Sequence, residues 1–93
     1  MPAVTRINDI CTGHGCFPSR SNVQGSGNVF VNKLAVHRTG DKWDAHCCST
    51  CHDSVTVSGS GTVYVNGKQI ARIGDPVACG STIAQGSGNV FAG

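Results

Sequence analysis

The amino-acid sequence predicts an all-β domain made of three equivalent units. Two repeated elements and one periodicity carry that expectation. The octapeptide GSGNVFVN at 25–32 returns as GSGTVYVN at 59–66, 34 positions on, and in shortened form as GSGNVF at 86–91. A second element, Arg-x-Gly-Asp, stands at Arg38–Asp41 and again 34 positions on at Arg72–Asp75. Its first copy is Arg6-Ile7-Asn8-Asp9, with Asn in place of Gly. The first copy of one element and the last copy of the other lie at opposite ends of the chain. One unit is therefore assembled from both termini, and the whole is a pseudo-threefold object.

The third observation is the period within each octapeptide. Val29 and Val31 alternate with Phe30, and Val63 and Val65 alternate with Tyr64. Period two is that of a strand. A 34-residue repeat also suits paired-helix arrays, but β-branched and aromatic residues dominate these runs and glycines bound them. Gly-Asp and Asn66-Gly67 supply turns that accept left-handed backbone. Short strands joined by tight turns follow, with no helix of consequence.

Composition narrows the function. With 93 residues and a net charge of +2, the chain is expected to be a single small domain spanning 1–93, with no cluster of Lys and Arg to bind nucleic acid. A core of this size leaves room for a metal, disulfides or a partner to add stability. The start, MPAVTRINDI, has no apolar run for a signal peptide, so synthesis in the cytoplasm without one is expected. In that reducing setting six cysteines point to metal binding before a disulfide framework.

The stretch HCCSTCH at 46–52 concentrates five possible ligands, and repeat phase sorts them. His14 lies five residues after Asp9, and His46 five after Asp41. In the last unit that phase is Gly80, and its neighbour Cys79 is a donor. Three related turns thus deliver nitrogen or sulfur to one end of the molecule. His52 is out of phase but lies in the longest connection, 19 positions from Asp41 to Ser60, against 17 from Asp9 to Ser26 and 12 from Asp75 to Ser87. It can fold over as a fourth donor. His14, His46, His52 and Cys79 make a His₃Cys set suited to one zinc ion. His37 matches Thr5 and Ala71 and falls outside this phase, as a surface or packing residue. Cys11, Cys16, Cys47, Cys48 and Cys51 stay open between buried thiols, a disulfide (Cys16 with a cysteine of 47–51 among the options) and alternative ligands.

LAVHRTGD, KQIARIGDPVACGS, the GSGxVxVN strands and CTGHGCFP together resemble the PAAR-repeat (proline-alanine-alanine-arginine) proteins along the whole chain. The tetrapeptide itself is degenerate: Ala35-Val36-His37-Arg38 and Gln69-Ile70-Ala71-Arg72 keep the arginine and not the proline. The resemblance implies a small three-sided β-pyramid with zinc near its apex, held by three histidines and a cysteine. It further implies a broad base seated on a trimeric β-helical spike protein. Such proteins sharpen the spikes of type VI secretion systems and contractile phage tails, crossing a target membrane transiently. The chain would then be secreted or injected with the spike, or form part of a virion tail.

The leading expectation is a non-enzymatic structural tip. An adaptor that recruits separate effector proteins is the alternative, and a small zinc/thiol redox protein a weaker one. Cys48-Ser49-Thr50-Cys51 has the C-x-x-C spacing but lacks βαβ surroundings. Of the alternating strand residues, one set (Val29, Val31, Val63, Val65, Val90, or Phe30, Tyr64, Phe91) must fill the core, leaving apolar surface for the base. Strands and metal should occupy different ends.

Overall fold

Three backbone hydrogen bonds close a triangle at the centre of the molecule. In the computed structural model, which describes all residues Met1–Gly93, the Thr5 N–H donates to Ala71 O, the Ala71 N–H to His37 O and the His37 N–H to Thr5 O, each at 3.0 Å. These residues precede Arg6, Arg38 and Arg72, so the triangle marks the pseudo-threefold axis. Further bonds repeat around it. Ser26, Ser60 and Ser87 donate from N–H to Val36, Ile70 and Val4, and those three donate in turn to Val29, Val63 and Val90.

Regular strands are short. β1 (Phe30–Val31) pairs with β2 (Leu34–Ala35), β3 (Lys42–Cys48) with β4 (Thr50–Val55), and β5 (Tyr64–Val65) with β6 (Lys68–Gln69), as three antiparallel two-stranded sheets. Isolated bridges join the units: Arg6 to Val36, Arg38 to Ile70, and Arg72 to Val4. The bridge of Ala3 to Phe91 crosses the chain ends, as do the bonds of Val4 with Val90 and Ser87. One unit is indeed built from both termini. The fold is an all-β three-sided pyramid, and its extents of 37 × 24 × 21 Å give one long and two similar short dimensions.

Each Arg-x-x-Asp element makes the same turn. The third residue is left-handed in all three copies, with φ of 73° at Asn8, 83° at Gly40 and 91° at Gly74. Asn replaces Gly at position 8 because Asn is the side chain that tolerates this region best. The turn brings the Asp back onto its own Arg. Asp41 accepts from the Arg38 N–H at 2.9 Å, from Nε at 2.9 Å and from Nη2 at 3.0 Å, and Arg6–Asp9 and Arg72–Asp75 repeat the arrangement. In each Gly-Ser-Gly, the serine Oγ accepts the N–H groups two and three residues ahead. It then donates into a different unit: Ser26 to Asn66 at 2.7 Å, Ser87 to Asn32 at 2.5 Å and Ser60 to the main-chain oxygen of Gly93.

The core has two storeys. Val4, Val36, Val65, Ile70 and Ala92 form one, with Val31 and Val90 packed against it. Cys11, Trp43, Ala71, Val77 and Ile83 form the other, with Cys79 against it. Cys11, Trp43 and Val77 each stand two residues after a turn Asp, so this storey also obeys the repeat. The Gly-Ser-Gly strands line the first storey and the Cys79 turn the second, which separates strands from candidate ligands along the axis. Of the alternating sets, the valines turn inward at Val31 and Val65, while Phe30, Tyr64 and Phe91 are each at least half exposed. Val29 and Val63 remain at the exposed margin.

Candidate metal centre

Each candidate ligand sits on a turn closed by its own hydrogen bonds. His14 and Phe17 bond each other through both main-chain pairs, at 3.0 and 2.8 Å, making a four-residue loop. His46 and His52 face each other across the β3–β4 hairpin, whose register pairs His46 with His52, Cys47 with Cys51 and Cys48 with Thr50. Ser49 turns the tip at φ 67°. Cys79 lies in a tight turn closed by Gly80 N–H to Val77 O at 2.9 Å and Val77 N–H to Ser81 O at 2.8 Å.

These elements meet at one point. The donor atoms of His14, His46, His52 and Cys79 all lie within 4.8 Å of one another. Nε2 of His52 is 2.5 Å from Nε2 of His46 and 3.2 Å from Nε2 of His14. The structure therefore gathers the in-phase His14 and His46, Cys79 beside the third phase position, and the out-of-phase His52 of the long connection. His37 is elsewhere, fully buried on the axis.

The surroundings fit a cation. His46 Nδ1–H donates to the carbonyl of Pro18 at 2.8 Å, which leaves the Nε2 lone pair free to face the cluster. Burial, and then the neighbouring His46, His14 and Arg20 charges, push His52 below the ordinary imidazole range, with Asp53 offsetting part. His52 is thus neutral and able to donate a lone pair at neutral pH. Burial alone would push the Cys79 thiol up. The Ser81 backbone N–H and the Arg20 guanidinium outweigh it, and the thiol lies below its usual value, toward the thiolate a metal needs. The Phe17 ring packs on all three imidazoles, with centroids 4.8 Å from His14, 4.9 Å from His46 and 4.2 Å from His52. Three histidine nitrogens and one sulfur are a donor set matched to zinc. The four donors would fill a tetrahedral shell, as in structural sites.

Two neighbours escaped the repeat reading. Buried Arg20 reaches Cys79 Sγ at 3.4 Å, Cys11 Sγ at 3.1 Å and the carbonyl of Asp44 at 2.8 Å, and its guanidinium lies 5.4 Å from the Trp43 ring centroid. Its signal was available: it is the one arginine outside the Arg-x-x-Asp phase. Phe17 had none beyond its place near His14. Four other cysteines are resolved as disulfides, Cys16–Cys48 and Cys47–Cys51, leaving Cys11 and Cys79 free. Metal binding as the default for the cysteines therefore fails for these four. The reason is local: an antiparallel hairpin brings Cys47 and Cys51 to a Cα separation of 4.1 Å. The two cysteines of the C-x-x-C spacing belong to different disulfides, which removes the dithiol pair a redox motif requires.

No curated protein matches the chain. A family model, the PAAR motif, matches residues 19–85, most of the chain, including His46, His52 and Cys79, with His14 just before the matched span. Threefold turns, a pyramidal all-β fold and this match agree: the chain belongs to the PAAR-motif family.

Proposed function

We propose that this domain is the tip of a trimeric β-helical spike in a contractile injection machine, with zinc held by His14, His46, His52 and Cys79 at its apex. Membership of the PAAR-motif family supports a spike-tip role of this kind. The observation that carries the finer reading is the position of Phe30, Tyr64 and Phe91. They occupy one repeat phase on strands lining the storey remote from the ligands, and each is at least half exposed. Three equivalent apolar side chains around a pseudo-threefold axis suit a partner with true threefold symmetry, so that one chain caps three. Left in water they are an unfavourable surface, and docking covers them together with the short strand edges.

At the other end, the zinc would cross-link three turns where little apolar core is available. Stabilisation there resists unfolding of a point under load. The exposed Val23 and Val57 follow Asn22 and Thr56 at one repeat phase, and would serve a second role as adaptor for effector proteins.

The test combines stoichiometry and docking. Elemental analysis of the purified protein is expected to give one zinc per chain, falling in the His46→Ala variant, and chelation should lower the melting temperature. Full metal content without His14 and His46 would refute the ligand set. On size-exclusion chromatography with light scattering, one chain should bind one spike trimer. Phe30→Asp or Tyr64→Asp should abolish the complex while leaving the zinc content intact. Cross-links from the His46–His52 hairpin to the spike would overturn the orientation.

A further inference from the structure

Three of the four candidate ligands are covalently tied to one another, and the fourth is not. Cys47 follows His46 and Cys51 precedes His52, so their disulfide joins β3 to β4 at the register pair beside the histidines. Cys16 lies inside the four-residue loop closed by His14 and Phe17, and its disulfide to Cys48 fastens that loop to the hairpin tip across 32 residues of sequence. Cys79 has only hydrogen bonds and packing to hold it. Without the two cross-links, the His14 loop would meet the ligand-bearing part of the hairpin through the His46–Pro18 hydrogen bond, the His14–His52 approach and ring packing, with Arg20 and Ser21 bonded to Asp44 at the hairpin's far end. The hairpin itself turns at Ser49, a non-glycine residue in the left-handed region, which disfavours a tip that nothing clamps.

We propose that the disulfides Cys16–Cys48 and Cys47–Cys51 are positioning elements for the metal ligands, so that the apex holds zinc tightly only when both are formed. The inference rests on the zinc reading above and adds redox control to that site. Ligands fixed before binding lose less conformational freedom when the ion arrives, and the difference appears as affinity. Cys16, Cys47 and Cys51 are exposed, so solvent thiols and disulfides reach each bond. Each forms by two exchanges with a small disulfide such as glutathione disulfide. One cysteine thiolate attacks and releases one glutathione thiolate, leaving a mixed disulfide. The partner cysteine thiolate then displaces the second, and the protons given up by the cysteines pass to the two departing thiolates. The protein loses two electrons per bond and the glutathione disulfide gains them. A chain moving from a reducing to an oxidising compartment thereby tightens its own tip.

The experiment compares the full chain oxidised with glutathione disulfide and the same chain reduced with a water-soluble phosphine, which takes up the oxygen of one water per bond to become its oxide and yields two thiols. Thiol titration in denaturant should count two free thiols in the first state and six in the second. Zinc affinity is read by competition with a chromophoric chelator, with Trp43 fluorescence reporting the fold. The oxidised chain should bind one equivalent about ten- to a hundred-fold more tightly, the range seen when groups that orient metal ligands are lost. A Cys16→Ser, Cys48→Ser double variant should show weakened binding even after oxidation; should it not fold, the titration of the native chain still decides. Equal affinity in both states overturns the proposal and leaves the zinc site standing. Tighter binding, or a second equivalent, on reduction overturns it by making the cysteines ligands. Absence of zinc binding in either state overturns the zinc reading and this inference with it.

Discussion

The hydroxyl oxygen of Thr56 lies 2.8 Å from Nε2 of His37 and accepts the indole N–H of Trp43 at the same distance. On its other side, His37 Nδ1 is 2.8 Å from the carbonyl of Gln24. A carbonyl can only accept, so Nδ1 carries the proton, and the Thr56 hydroxyl donates its own to Nε2. Every polar atom in this chain of four residues is satisfied by a neutral imidazole. A histidine excluded from the metal cluster by its repeat phase is thereby built into the interior as an uncharged hydrogen-bonding side chain, edge-on to Trp43 with centroids 5.3 Å apart.

Acid should therefore destabilise the fold through His37. Burial pushes its pKa below the ordinary imidazole value of 6.5, and the Gln24 carbonyl and the Asp41 charge offset only part. Below pH 6.5 the unfolded chain takes up a proton that the folded chain refuses. The stability of the neutral form is complete above that pH and is lost as pH falls toward the lowered folded value. Urea melts of metal-free protein between pH 7.5 and 5 should show this decline, with His52 contributing in the same direction. His37→Leu should make the slope shallower and cost about 1–3 kcal/mol at neutral pH, since the Gln24 carbonyl and the Thr56 hydroxyl lose a buried partner. An unchanged slope would show that His37 takes up its proton as readily in the fold as in the unfolded chain.

Removing the turn carboxylates should cost unequally despite their equal geometry. The side chain of Asp41 is 0% exposed, that of Asp9 6% and that of Asp75 10%. Replacing any of them by Asn leaves a guanidinium facing no charge, and the penalty grows with its isolation from water. Asp41→Asn is expected to cost about 3–5 kcal/mol, the range for breaking a buried pair. Asp9→Asn should cost less and Asp75→Asn least, as measured by denaturant unfolding. A reversed order would mean that the threefold turns are not held by these pairs.

The threefold plan was readable from the sequence because each unit must satisfy the same main-chain groups. Arg-x-x-Asp closes one turn and Gly-Ser-Gly another, and the phase of His14 and His46 relative to Asp9 and Asp41 carries through to where their side chains arrive. The position of His37 was harder to see. Its phase-mates Thr5 and Ala71 are small, as the crowded axis demands, and a histidine there reads as polar until Thr56 and Gln24, distant in sequence, are seen to pair with it. A bond from Cys16 to a cysteine of 47–51 was among the readings the sequence left open, and Cys16–Cys48 is that bond, but the exact pairing was illegible for a similar reason. Which of Cys47, Cys48 and Cys51 face each other depends on whether the tip turns at Ser49, and a single left-handed serine leaves no pattern. Arg20 acts on Cys11 and Cys79 only because the fold closes over it.

The two glycines of each Gly-Ser-Gly should respond in opposite ways to alanine. At the first, the chain passes directly over a carbonyl of its own unit's returning segment. A Cβ on Gly25 would stand 2.9 Å from Val36 O and one on Gly86 2.7 Å from Val4 O, and one on Gly59 would press against Ile70 O more closely still. Those same carbonyls accept the N–H groups of Ser26, Ser87 and Ser60, so the main chain cannot retreat without stretching the bonds that close each unit. Gly27, Gly61 and Gly88 have open space where a Cβ would go, and none has positive φ. Alanine at the first position is therefore expected to destabilise by about 1–3 kcal/mol, the usual cost of overpacking. Alanine at the second should be neutral or stabilise by about 0.4–1 kcal/mol, because it restricts the unfolded chain without straining the folded one. Thermal melts of the six single variants give the comparison. Equal losses at both positions would mean that glycine is needed in this motif for its flexibility, and not for the close passage of the chain over its own unit's carbonyl.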